Sequence, residues 1–201
     1  MPTKLSVMNQ ALHILGQTQL TSPDAEITSG RSLREAWDSA IASCFEVGNW
    51  TFLTKRAKLG RLSVVPEFGY QYYYKLPGDY IRTVQISATG EPRDMLLDYE
   101  LESGMIATNA EQVYLRFISR DLTPAPGEWS QAFADYVSAQ LAVRTAPKLN
   151  PSALEAASQI EQKNRIFAVS SDAVKNPPAQ RRQGSLTRAV TRGSRYNTEQ
   201  G

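Results

Sequence analysis

The stretch that most constrains the fold runs from Trp129 to Val169. Phe133, Tyr136, Val137, Gln140, Leu141 and Arg144 recur at helical spacing, and the apolar members share one face. Pro147 is expected to stop that run. Asn150-Pro151 then restarts it, an N-cap side chain followed by a proline whose fixed φ suits the first helical position. Glu155 falls where the helix dipole favours negative charge, and Leu154, Ala157, Ile160, Phe167 and Ala168 are expected to line the inner face of the second helix. Two amphipathic helices joined by so short a turn must lie antiparallel, and the rest of the chain has to pack on them.

Upstream, Leu5, Met8, Leu12 and Leu15 predict a short helix closed by Gly16, which tolerates the positive φ of a helix end. Gln17 to Gly30 is polar and reads as a loop. Ser29 is the expected cap of a second helix with the stripe Leu33, Ala36, Trp37, Ala40, Ile41, Cys44 and Phe45, ending at Gly48. From Trp50 to Arg120 the period becomes two-fold. Leu62 to Val65 is β-branched and Phe68 to Tyr74 is rich in tyrosine. Tyr80 to Ile86 and Val113 to Ile118 alternate. Leu76-Pro77-Gly78-Asp79, Thr89-Gly90-Glu91-Pro92 and Ser103-Gly104 are turn sequences. The expected class is α+β, mainly α: a bundle of about four helices, a small antiparallel sheet inserted between the second and third, and an extended C-terminal tail. Residues 1–49 and 127–171 form the helical body, 50–126 the inserted sheet and 172–201 the tail.

The tail differs from the body in composition. From Asn176 it holds five arginines against Glu199 alone, while the whole chain of 201 residues has a formal charge of only +2. With Leu186 and Val190 as its sizeable aliphatics it cannot bury enough apolar surface to offset its own ordering, so order is expected only against a partner. The arginines are spread rather than blocked. A few apolar anchors among spaced cations suit a peptide laid in another protein's groove. The partner-binding residues so assigned are Pro177, Pro178, Arg181, Arg182, Leu186, Arg188, Val190, Arg192, Arg195 and Tyr196. One cysteine forms no internal disulfide, no apolar run spans a bilayer, and Met1 to Lys4 opens no signal peptide, so a soluble chain made in the cytoplasm is expected.

Chemistry is sparse. The single histidine, His13, sits between Leu12 and Ile14 on the first helix, and Cys44 lies mid-helix beside Ser43 and Phe45. Neither has the partner that nucleophilic catalysis or a zinc site needs. Asp94, Asp98, Glu100, Glu102 and Glu111 fall in the turn-rich sheet, where solvated carboxylates are ordinary; a glycosidase-type carboxylate pair or a two-metal site there is the enzymatic alternative. No phosphate-loop or dinucleotide fingerprint is present. The expectation is no catalysis, no cofactor and no metal. Tyr70, Tyr72, Tyr73, Tyr74 and Lys75 read as cross-strand packing, with a stacking platform for single-stranded nucleic acid as the alternative. Trp37, Trp50 and Trp129 are expected core anchors.

The order of these motifs resembles a known family. Ala11 to Gly16, the Leu33 to Phe45 helix and Gly48-Asn49-Trp50-Thr51-Phe52 resemble the opening of phage tail tubular protein A, the gatekeeper or head-to-tail adaptor of tailed bacteriophages. Tyr74-Lys75-Leu76-Pro77-Gly78-Asp79-Tyr80-Ile81-Arg82 resembles that family's first sheet hairpin, and Phe133 to Leu149 its third helix. The likeness spans Leu5 to Ser170. It implies a structural subunit of a dodecameric ring at the head-tail junction of the virion. Such a ring sits under a portal protein, carries the downstream tail protein (a nozzle or the next connector), and lets double-stranded DNA pass its lumen with non-specific contact. Neither a membrane nor a cofactor is implied. The tail arginines are not carried over from the family; their role is a physical inference. The alternative from the residues alone is a nucleic-acid-binding module built from the tyrosines and the basic arm.

Overall fold

The structure, a computed structural model, describes residues 1–91, 94–96, 98–121 and 125–175. Four helices, α1 (Lys4–Ile14), α2 (Thr28–Val47), α3 (Gln131–Leu149) and α4 (Leu154–Lys175), carry an insertion of six strands between α2 and α3. The mainly helical α+β class expected from the sequence is the one observed.

Helix α1 opens with a capping box, in which the Ser6 N–H donates to Thr3 Oγ1 at 3.1 Å and the Thr3 N–H to Ser6 Oγ at 2.8 Å. It closes at Gly16, whose φ of +65° is the left-handed conformation that glycine adopts without strain. Asn9 then clamps the loop back, its amide bonding the Leu20 carbonyl and N–H. Helix α2 starts one residue before the expected cap: Ile27 is the N-cap without a side-chain bond, and Ser29 lies inside the helix. The start is held instead by Arg34, which reaches back to the Pro23 and Ala25 carbonyls.

Helix α3 is central, packing on α1, α2 and α4. Eleven of its 19 residues are buried, and its Phe133 sits in an aromatic cluster with Phe45, Trp50, Phe52, Trp129 and Tyr136. All three tryptophans are core anchors, Trp37 stacking on Trp129 at 6.3 Å. Two expectations fail here. Pro147 does not stop α3, which runs on to Leu149; a proline so near the end removes few intrahelical bonds. Asn150 does not cap the next helix with its side chain, which instead donates to the Leu15 carbonyl at 2.9 Å and so ties the hairpin turn to the end of α1.

The insertion forms two three-stranded antiparallel sheets rather than one. Strands β1 (Thr54–Leu59), β3 (Tyr80–Ser87) and β6 (Val113–Ser119) pair in the order β1-β6-β3. Strands β2 (Tyr72–Lys75), β4 (Tyr99–Glu102) and β5 (Met105–Thr108) pair as β2-β5-β4. The Leu76 to Asp79 turn exists, with the Tyr80 N–H bonded to the Pro77 carbonyl, yet it joins strands of different sheets and makes no hairpin. Ser103 and Gly104, both at positive φ, do make the expected hairpin turn between β4 and β5. The β-branched run Leu62 to Val65 is not a strand, and Val64 and Val65 are exposed.

The two sheets pack face to face over Leu59, Tyr74, Ile86, Ile106, Val113, Leu115 and Phe117. Strict alternation along β3 is broken by irregularities between Tyr80 and Arg82 and between Thr83 and Gln85. Those shifts let Ile81 and Val84 both turn to the helical core while Tyr80 and Ile86 enter the sheet core. The first sheet is thereby stitched to the bundle along one strand.

Candidate docking surfaces

Helix α4 carries two seams of unlike chemistry. Its inner side is small and polar: Ala157, Ala168 and Asp172 are buried, and Asn164 donates to the Asp135 carbonyl at 3.2 Å. Its outer side carries an apolar stripe among exposed polar residues such as Gln159, Lys163 and Arg165. Ile160, Phe167 and Val174 follow one another seven residues apart, a spacing that keeps them on one stripe. Phe167 is 63% exposed, Ile166 67% and Val174 80%. This corrects the expectation that Leu154, Ile160 and Phe167 would face inward with Ala157 and Ala168. The close α3–α4 approach takes small side chains, so the larger ones are left outside. The helix also continues to Lys175, past the expected boundary at 172.

The C-terminal end of α4 is latched. Both carboxylate oxygens of Asp172 accept from Thr51, Oδ2 from the backbone N–H and Oδ1 from the hydroxyl, each at 3.0 Å. Beside this latch is a cavity of about 200 Å³ lined by Gly48, Asn49, Trp50, Arg82, Val169 and Asp172. Nε and Nη2 of Arg82 are buried there with no hydrogen-bond partner, and burial lowers the guanidinium pKa from its ordinary value. Nothing in the local sequence marks Arg82; it reaches this joint because β3 does.

The assigned partner-binding residues Pro177, Pro178, Arg181, Arg182, Leu186, Arg188, Val190, Arg192, Arg195 and Tyr196 lie outside the described residues. What the structure supplies is the base they leave from, the latched and apolar end of α4.

The other sequence candidates scatter. Cys44 is buried against the Tyr136 hydroxyl, and burial raises its thiol pKa well above the ordinary range. Such a thiol is a packing residue, not a nucleophile. His13 is exposed on α1. Among the carboxylates, Asp98, Glu100 and Glu102 line an open groove with Glu67, Phe68, Tyr70 and Tyr73 on the β2-β5-β4 sheet. There the Tyr70 hydroxyl donates to Asp98 and the Tyr73 hydroxyl to Glu102; both phenol pKa values are raised, that of Tyr70 first by desolvation and then by its bond, that of Tyr73 first by its bond. Asp94 is elsewhere, its Oδ2 accepting from Ser87 Oγ and from the Ala88 and Thr89 backbone, which lowers its pKa. Among the described residues no group of three or more His, Cys, Asp or Glu could hold a metal ion. The four tyrosines share no platform. Tyr74 is buried with its hydroxyl on the Ala110 carbonyl, Tyr72 lies under the Arg61 guanidinium at 3.8 Å, and Tyr73 points to the opposite face.

Because side chains alternate along strands, the residues not in the shared sheet core form two outer faces on opposite sides. The outer face of the β2-β5-β4 sheet carries Tyr73, Glu100 and Glu102 with Lys75 at its end. The outer face of the β1-β6-β3 sheet carries Arg56, Lys58, Tyr114 and Arg116. No helix among the described residues is long and apolar enough to cross a membrane. No protein-family model matches the chain, and comparison with curated proteins returns no match.

Proposed function

We propose that this chain is a structural connector at the head-to-tail junction of a tailed bacteriophage. It acts as one subunit of a ring that seats on a portal protein through the segment after Lys175, carries the next tail protein on its far side, and leaves a lumen for double-stranded DNA. The observation that carries the reading is α4. A helix that keeps alanine and asparagine inside and sets Phe167 and Val174 outside at the root of an arginine-rich segment is built to be covered by another molecule. The order of motifs from Leu5 to Ser170 supports the family, and a docking part needs no reactive constellation. Heterologous contacts between neighbours would close the ring.

The test is capture on immobilised portal. Full-length protein with Arg181, Arg182, Arg188, Arg192 and Arg195 changed to alanine, and protein with Phe167→Asp, should each keep a native circular-dichroism spectrum and lose capture. Undiminished capture by both would overturn the proposal. The second reading, a nucleic-acid-binding module, is favoured by Arg56, Lys58 and Arg116, which make no ion pair among the described residues. It predicts a DNA mobility shift that weakens steeply between about 50 and 200 mM salt.

A further inference from the structure

The two outer sheet faces have opposite charge. On the β1-β6-β3 sheet Arg56 stands directly across from Arg116, with Lys58 one pleat further along the same face. Like charges directly opposite on neighbouring strands repel. None of the three makes an ion pair among the described residues. Lys58 rests over the Tyr114 ring at 5.5 Å, and Nε of Arg116 is buried without a hydrogen-bond partner. Asp94, the carboxylate held against Ser87 at this edge, spends its Oδ2 on its own loop. Among the described residues the sheet therefore sets cations side by side with no carboxylate paired to them. On the far side of the insertion, Glu67, Asp98, Glu100 and Glu102 surround the exposed ring of Phe68, which is 87% accessible.

We infer that the basic outer face of the β1-β6-β3 sheet docks on the acidic, aromatic outer face of the β2-β5-β4 sheet of a second copy of this chain. Arg56, Lys58 and Arg116 meet Glu100, Glu102 and Asp98, and Phe68 supplies the apolar contact. The faces lie on opposite sides of one insertion, so the contact is heterologous and leaves each copy with one face free, which lets assembly continue beyond a dimer. A charged partner suits the basic face better than an apolar one, because guanidinium and carboxylate pair bidentately. The β1-β6-β3 face measures roughly 20 by 15 Å, its Ile118 end packed on the bundle, and the four-residue strands of the other face span only roughly 13 by 15 Å, both below the area of about 800 Å² per partner of a standard stable interface. The association should therefore be weak and salt-sensitive. The proposal extends the ring reading, on which its wider meaning rests, but its test needs no portal, so the two can fail separately.

The experiment is sedimentation velocity of the full chain up to about 0.5 mM in about 50 mM salt, repeated at about 500 mM, where screening shortens to a few ångströms. Wild-type protein should form species larger than dimers, with a dissociation constant that rises at least tenfold in high salt. Arg56→Glu/Arg116→Glu and Glu100→Lys/Glu102→Lys should each be monomeric alone. Mixed in equal amounts they should associate again, since each brings one intact face and the two reversed faces are themselves opposite in charge. Arg56→Gln/Arg116→Gln, which keeps the strand contacts without reversing charge, should weaken association at least tenfold with a melting temperature no lower than that of wild type. Monomeric wild-type protein at low salt, continued association of either reversed variant, or failure of the mixture to associate would each overturn the inference. So would a DNA shift lost in Arg56→Glu/Arg116→Glu while self-association persists, which would assign the basic face to nucleic acid.

Discussion

Asp172 should be the residue whose loss most directly frees the end of α4. It sits in the last turn of the helix, where the dipole disfavours a carboxylate by about 0.3–1 kcal/mol, so something else must hold it there. The holding groups are the Thr51 N–H and hydroxyl, both at 3.0 Å, around a side chain only 5% exposed. Hydrogen bonds to a charged group contribute about 1.5–3 kcal/mol each. In Asp172→Asn the amide oxygen can still accept from the Thr51 N–H, and the amide nitrogen can donate to the Thr51 hydroxyl, so only the charge assistance of the two bonds is lost. Less the dipole relief, the net loss should be about 1 kcal/mol. Asp172→Ala gives up both bonds and should lose about 3 kcal/mol or more. Thr51→Val removes only the hydroxyl, and the Asp172→Ala/Thr51→Val cycle should show a coupling of about 1 kcal/mol. Urea unfolding followed by tryptophan fluorescence reads these values as midpoint shifts at constant slope, with Trp50 beside the latch as reporter. Amide exchange in the last two turns of α4 should also speed up before the rest of the helix in the Asn variant. An Asp172→Ala protein within about 0.5 kcal/mol of wild type, or strictly additive effects of Asp172→Ala and Thr51→Val, would refute the latch.

Three further outcomes are expected. Gly30→Ala, a change that usually stabilises a helix interior by about 0.5–1 kcal/mol, should instead cost about 1–2 kcal/mol in thermal melts; its Cβ would run into the Ala25 carbonyl oxygen, the acceptor of the Arg34 guanidinium. Asp79 has its carboxyl pKa lowered below 3.8, first by the Ser119 hydroxyl bond at 2.6 Å and then by Lys55. A depressed carboxyl pKa adds stability that is complete above the unfolded value and fades as pH falls through the folded one. The urea-midpoint gap between wild type and Asp79→Asn should accordingly be full at pH 6 and shrink as pH falls below the ordinary carboxylate range. Cys44 should resist thiol reagents in native buffer and react at a rate set by unfolding, and rapid native labelling would contradict its burial.

The helices were legible because their periods are local. Leu33 to Phe45 and Phe133 to Leu141 each place their buried side chains by counting alone, and Gly16 and Ser103-Gly104 mark their turns by backbone chemistry that neighbours do not alter. The absence of a histidine or thiol partner for catalysis was equally a matter of composition. The pairing of strands was not local. β1 joins β6 across the whole insertion, so Thr54–Leu59 meets Val113–Ser119, and the alternation of either strand is the same whichever partner it takes. That one choice divides a single expected sheet into two, sends the tyrosines to opposite faces, and gathers cations on one side and carboxylates on the other.

In α4 the local pattern even misled. Ile160, Phe167 and Val174 make as regular a stripe as Ala157, Asn164, Ala168 and Asp172, and a period cannot say which stripe meets the core. The crowded centre decided it. α3 already packs on α1 and α2, so the room left on its third side fits alanine and asparagine, and the bulky side chains turn outward. Element type and turn position therefore follow from residues a few places apart. Which face is buried, and so which surface is left for a partner, depends on volume shared among elements far apart in the chain.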